Sequence, residues 1–523
     1  MKRLISAGVV VAWTTLLSVS VLAQSVSVNV PQIEIKPLGS YASGIFDDSA
    51  AEIVDYDPRY ALAYVTNSAE TSLDVLSIWN PRKPRKITSI DLSPYGAPNS
   101  VAVKNGIVAV AVAATDKQTA GSVVFFNRFG YFLNQLEVGA LPDMLTFTPD
   151  GSKLVVANEG EPNDDYSVDP EGTISIIDMS KHIKALTQND VSTAEFTDFN
   201  NVAIDERIRI FGPNASVAQD LEPEYIAISP DSQTAYVALQ ENNALAVVDL
   251  AAAQVSALVG LGTKNFNTIQ TAIDASDTDG GINIQPWPVV GMYQPDSIAA
   301  YEADGETYIV TANEGDARDY DGFSEERRVE DLSLDIAILQ DNPLIQMDEQ
   351  LGRLKTTSVN GDSDGDGDVD QIYAYGGRSF SIWNSAGEIV YDSGSDFARI
   401  TAANTPEIFN ANDGSNFDTR SDDKGAEPEA LTLGKIGNAT YAFIGLERTG
   451  GIMVYDISNP IAPNFVQYIN NFDPVSGTGD IAPEGLRFVS SIERRGRKPL
   501  LLVANEVSGT TTVYAIQKRK NKE

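Results

Sequence analysis

Short apolar runs alternate with turn-forming clusters along most of the chain, and the alternation has a recurring form. One clear instance begins with the apolar run 145–148. Pro149-Asp150-Gly151-Ser152 follows as a turn, in which proline presets φ and glycine takes the left-handed position. Residues 153–157 return as a strand, and 172–178 read as a third. The same order recurs at 226–229, 230–232, 234–239 and 244–249, and again at 431–433, 441–446 and 451–456. Short apolar runs of this length bounded by Pro, Gly and Asp predict antiparallel strands joined by tight turns.

Five of these units open alike, with Pro, then Asp or Glu, then any residue, then an apolar one. The copies are Pro142-Asp143-Met144-Leu145, Pro223-Glu224-Tyr225-Ile226, Pro295-Asp296-Ser297-Ile298, Pro428-Glu429-Ala430-Leu431 and Pro483-Glu484-Gly485-Leu486. The second strand of each ends in an acid, at Glu159, Glu241, Glu314, Glu447 and Glu506. Two earlier units keep the rhythm without the acidic opening. One spans 60–67 and 73–79; the other spans 100–103, 107–114 and 122–126.

Seven units predict an all-β fold, a seven-bladed β-propeller with blade-loop insertions. A sandwich gives no reason to repeat one motif five times, and a solenoid keeps a stricter period. The last unit runs out of chain, and residues 33–37 are the candidate strand to complete it. Closing the ring this way removes exposed sheet edges. The expected layout is a signal peptide at 1–23 and a single propeller domain at 24–523, with insertions at about 181–220 and 316–371. Within the second insertion, Val329, Leu332, Ile336 and Leu339 have helical spacing, and a helix is expected over 324–340.

Composition narrows the chemistry. The chain has 523 residues, and its 42% hydrophobic content suffices for a packed core. With 73 acidic and 37 basic residues, its formal net charge is −36. Such a field repels nucleic acid and anionic lipid and favours divalent cations. There is no cysteine, and His182 is the single histidine, expected in a solvent-facing loop. Thiolate chemistry is therefore excluded, and Ser-His triads and multi-histidine zinc sites would need unusual substitutes. Met1-Lys2-Arg3 followed by an apolar stretch to Val21-Leu22-Ala23 reads as a cleavable signal, so the chain is expected to be secreted or periplasmic. No later stretch is apolar enough to span a bilayer.

The hairpins bring the acids together. In an antiparallel pair the start of the first strand lies beside the end of the second. Asp143 is expected opposite Asn158, and Asp296 opposite Asn313. One mouth of the channel should then carry Asp143, Glu224, Asp296, Glu429 and Glu484 together with Glu159, Glu241, Glu314, Glu447 and Glu506. Two readings remain open. Each acid can hydrogen-bond backbone N–H groups and staple the ring, or some can hold hard cations, chiefly Ca²⁺.

A second candidate is Asp362-Ser363-Asp364-Gly365-Asp366-Gly367-Asp368-Val369-Asp370. Its opening fits the calcium-loop pattern, in which carboxylates wrap one ion and glycine permits the bend. Tyr373 stands at the twelfth position in place of glutamate, so a calcium loop closing onto a strand is expected, not an EF-hand. Arg318, Arg378 and Arg448 lie near acidic ends and could pair with carboxylates or receive an anionic substrate.

Five stretches carry a family resemblance: 154–166, 220–225, 311–320 (Thr-Ala-Asn-Glu-Gly-Asp-Ala-Arg-Asp-Tyr), 375–383 (Tyr-Gly-Gly-Arg-Ser-Phe-Ser-Ile-Trp) and 424–430. They resemble the bacterial choice-of-anchor I proteins and the mesenchyme-specific cell-surface glycoproteins of biomineralising animals, over roughly 35–515. The resemblance implies a secreted or surface propeller with calcium as the expected cofactor, and some relatives carry an alkaline phosphatase label. Two functions follow. One is a calcium-dependent extracellular binding or matrix protein. The alternative is a calcium-dependent phosphoesterase at the channel mouth, with Glu159 or Glu314 on the metal and Arg318 or Arg448 on the phosphate of a phosphate ester.

Overall fold

The computed structural model of the chain describes residues 33–519. The expected signal segment, 1–23, lies outside these residues. The described residues fall within one compact unit. Among them, no helix is long and apolar enough to cross a membrane.

Seven four-stranded antiparallel sheets form the body. From the inside out, blade 1 is Val54–Asp57, Leu62–Asn67, Ser72–Ser77 and Arg85–Asp91. The inner strands of blades 2 to 6 are Ala97–Lys104, Pro142–Phe147, Ile226–Ile228, Ile298–Ala303 and Pro428–Ile436. Each inner strand touches the next, and the last, Pro483–Val489, touches blade 1, so the ring is closed. Blade 7 is completed by Ile33–Ala42, paired antiparallel with Thr510–Lys518.

The core is distributed around the ring. Between each pair of neighbouring blades lies one apolar cluster, such as Tyr64, Val75, Val108 and Val110 between blades 1 and 2, or Tyr56, Val65, Leu502 and Val513 between blades 7 and 1. Both faces of every sheet are therefore covered, and the strands read as near-continuous Val, Ile, Leu and Ala runs.

The insertions differ from expectation in three places. Segment 181–220 contains the fourth strand of blade 3, Val191–Glu195, so that part is blade and not insertion. An unexpected excursion between blades 4 and 5 carries Thr263–Asn265 and Val289–Met292. These join Glu326–Arg328, Lys355–Thr357 and Ile372–Ala374 from the expected insertion in one five-stranded sheet with its own apolar core. The helix expected over 324–340 is corrected to Ile336–Asp341 alone. Val329 is fully buried and Leu332 and Leu339 pack on the same core, but Ile336 is 63% exposed and Ile338 packs there instead. Pairing of Glu326–Arg328 with Lys355–Thr357 takes the first part into a strand. His182 is exposed in a loop and caps a short turn by accepting from the Lys184 N–H at 3.3 Å.

Candidate functional site

The Pro-acid step has a backbone geometry of its own. In blades 3, 6 and 7 the inner strand bulges just after the proline, so Asn158 pairs with Pro142, one residue before the expected Asp143. Proline has no N–H to give the ladder, and a bulge re-aims the next side chain. The residue before proline takes positive φ at Leu141, Gln294, Glu427 and Ala482. Its carbonyl accepts an N–H from the end of the second strand: Glu159 to Leu141, Gly315 to Gln294, Glu447 to Glu427 and Glu506 to Ala482. The asparagines before the second-tier acids serve the sheet. Asn158 donates to Ser175 at 3.0 Å, and Asn313 donates to Ser381 at 2.8 Å.

All seven blades contribute to the inner tier, two more than expected. Blade 1 reads Ala51-Glu52-Ile53-Val54, with alanine for proline, and blade 2 reads Pro98-Asn99-Ser100-Val101, with an amide for the acid. A search requiring both proline and acid passes over both. Asn99, Asp143, Asp296, Glu429 and Glu484 line a common central cavity of about 120 Å³.

Burial and mutual repulsion oppose ionisation there. Burial, then Glu506, pushes Glu52 up to about 7. Burial, then Glu161 and Glu241, pushes Asp143 up to about 6. Glu159, Glu224, Asp296, Glu429, Glu447 and Glu484 are all held well above the usual carboxylate range, by burial first and neighbouring acids second. Glu241 and Glu314 shift upward for the same leading reason.

Three groups of carboxylates come within 4.8 Å of one another in this ring: Glu52, Glu484 and Glu506; Asp296, Glu314 and Glu429; Glu314, Glu427 and Glu447. The protein supplies cations to the last. Lys424 Nζ lies 2.8 Å from Glu314 and 3.3 Å from Glu427, Arg420 lies 2.6 Å from Glu427, and Arg448 lies 2.9 Å from Glu447. The first group, at the seam between blades 7 and 1, has hydroxyls instead: Ser49 donates to Glu506 at 2.6 Å, and Ser68 donates to Glu52. The strongest charges on Glu52 and Glu484 are carboxylates; Lys117 lines the same cleft and pairs with Glu161 at 3.7 Å. Glu484 Oε2, Glu429 Oε2 and Glu241 Oε2 are buried without a hydrogen-bond partner.

The aspartate loop divides in two. Asp362, Asp364 and Asp366 form one group, and Asp368 and Asp370 join Asp335 in another. Asp362 accepts the N–H of Gly365 at 2.7 Å and of Gly367 at 3.0 Å, and both glycines have positive φ. Asp368 Oδ1 is buried and unpartnered. Asp335 caps the Ile336–Asp341 helix and comes beside the loop through a bridge between Leu334 and Val369, a non-local approach that motif reading does not reveal.

The arginines are engaged internally. Arg318 is 2% exposed, pairs with Asp220 and with Glu222 at 3.0 Å, and lies 4.6 Å from the Phe211 ring centre. Arg448 is shared among Glu447, Asp413 and Glu427. Arg378 donates to backbone carbonyls of Asp274, Ser421 and Asp423.

The model of the choice-of-anchor I domain matches residues 52–460, most of the chain. The chain belongs to the choice-of-anchor I family. It is 30% identical over 193 residues to Gigasin-3a of Magallana gigas, a match covering 34% of this chain and 68% of that protein. It is 28% identical over 289 residues to the mesenchyme-specific cell surface glycoprotein of Strongylocentrotus purpuratus, covering 47% of this chain and 36% of the relative. Among solved structures, the Cps50 (Swd1) β-propeller domain of Myceliophteria thermophila aligns with 92% of this chain and 100% of that one, at 6% identity and a TM-score of 0.42. The propeller assignment rests on the seven sheets and their closure, not on that likeness.

Proposed function

We propose that this family member is an extracellular, calcium-binding propeller that acts as a binding or matrix protein. The observation that carries the reading is the seam group Glu52, Glu484 and Glu506, three converging carboxylates that, among the described residues, form no ion pair with a basic side chain, with a buried, unpartnered oxygen on Glu484. Hard cations with oxygen ligands satisfy such a set, and the hydroxyls of Ser49 and Ser68 already orient two of the three carboxylates. Asp362, Asp364 and Asp366 offer a second, exposed site of the same chemistry. The extracellular placement draws on the leader-like N-terminus and on the name of the sea-urchin relative, a cell surface glycoprotein.

Calorimetric titration of chelator-stripped protein tests the reading. Saturable calcium binding at about millimolar or tighter is expected, with the seam class lost in Glu484→Gln and the loop class lost in Asp364→Asn/Asp366→Asn. An absence of heat and of thermal stabilisation at that concentration overturns it. Assaying the calcium-loaded protein on phosphate mono- and diesters separates the binding role from the phosphoesterase alternative, which requires turnover that depends on Glu159 or Glu314.

A further inference from the structure

Strand direction places a second functional surface at the far end of the disc. Each inner strand starts at the acidic mouth, so the turn after it, and the turn between third and fourth strands, lie on the opposite face. On that face, blades 7 and 1 meet at a pocket of about 170 Å³ whose wall includes Arg59, Trp79, Arg494, Arg495 and Arg497. Arg59 belongs to the first turn of blade 1 and Trp79 to the turn between its third and fourth strands, while the other arginines lie in the first turn of blade 7. Arg495 donates to the Arg59 carbonyl at 3.1 Å and ties the two blades together. The Arg497 guanidinium lies 5.5 Å from the centre of the Trp79 ring, yet Trp79 stays 64% exposed.

These charges are uncompensated. Among the described residues, none of the four arginines has a carboxylate within ion-pair distance. The one acid in the wall, Glu493, is held by Arg487 at 2.7 Å. In a chain with twice as many acids as bases, four unpaired guanidinium groups around an exposed indole are out of proportion.

We propose that this pocket binds an anionic polysaccharide, with a sugar ring against Trp79 and its sulfate or carboxylate groups on the guanidinium forks. Arginine recognises both anions bidentately, and an indole face suits the C–H face of a sugar. The division of the face selects a narrow ligand. The corresponding turns of blades 3 to 5 expose Asp150, Asp178, Asp231, Asp249 and Asp304. A flat anionic bilayer or a rigid duplex laid across the disc faces those acids as well as the arginines. A flexible glycan chain can follow the basic sector alone.

Trp79 gives a direct readout, because Trp287 and Trp383 are buried. Tryptophan fluorescence of the calcium-loaded protein is followed during titration with a heparin decasaccharide, an oligoguluronate, a neutral dextran, a DNA duplex and phosphatidylserine vesicles. Saturable change with at least one of the two anionic glycans, and none with dextran, is expected; which of them binds identifies the anion. Arg59→Ser/Arg497→Ser should weaken binding about tenfold and flatten its salt dependence by about two charges. Trp79→Ala, read by calorimetry, should weaken binding several-fold and leave the salt dependence unchanged. All variants must keep the wild-type melting temperature, which exposed turn positions allow. Failure of both glycans to bind at low salt overturns the proposal. So does DNA or vesicle binding as tight as the glycan's and indifferent to Trp79→Ala, which marks a general cationic surface.

Discussion

Glu52→Gln should change the sign of its effect with calcium. Glu52 sits in the seam group and titrates near 7 in the fold, against an ordinary value of 4.5. Between these values the folded state holds a proton that the unfolded state releases. Stability is therefore full below about pH 4.5 and is lost as pH rises through 7. A shift of this size corresponds to roughly 3 kcal/mol at pH 8. The glutamine keeps an oxygen to accept from Ser68 and carries no charge. Without metal at pH 8 the variant should melt about 3 °C higher than the wild type, taking roughly 2 cal/mol/K of unfolding entropy per residue. At pH 4.5 the two should melt together. With saturating calcium the order should reverse, because the variant has lost a ligand. Calorimetric melting curves at both pH values, with chelator and with calcium, measure all four conditions. A metal-free variant less stable than wild type at pH 8 would instead make Glu52 a hydrogen-bonded staple whose charge the fold tolerates.

Lys424→Met removes the internal cation from Glu314 and Glu427, and should lower metal-free stability while increasing the stabilisation that calcium gives, in the same melting assay. Arg318→Met leaves Asp220 and Glu222 as unpaired buried charges and should cost about 3–5 kcal/mol in denaturant unfolding. Asp364→Asn/Asp366→Asn should lower calcium stoichiometry with little change in melting temperature, since the loop is exposed and outside the ring. Gly376→Ala sets a Cβ 1.9 Å from the Glu314 carbonyl at φ +75° and should sharply reduce soluble yield.

The fold was legible because its instructions are local. Turns such as Pro149-Asp150-Gly151 and Pro230-Asp231-Ser232 fix hairpins within a few residues, and seven hairpins of one design close a ring. The short strands Thr263–Asn265 and Val289–Met292 were not legible, because they pair with each other across a long excursion and the second joins a parallel strand at Ile372–Ala374, remote in sequence. The mouth was legible at its five full motifs and hidden at Glu52 and Asn99, where one of the two defining residues is replaced. Sequence spacing also could not separate acids that the protein neutralises itself, such as Glu427 with Arg420 and Lys424, from the seam acids. That distinction depends on side chains brought together from different blades.

Anomalous diffraction from crystals grown with calcium shows whether the mouth carboxylates hold the ion. A peak is expected about 2.3–2.6 Å from oxygens of Glu52, Glu484 and Glu506, and a weaker one in the loop of Asp362, Asp364 and Asp366. A map with no peak at the seam, and with those three carboxylates hydrogen-bonded to one another as protonated pairs, would contradict calcium binding there.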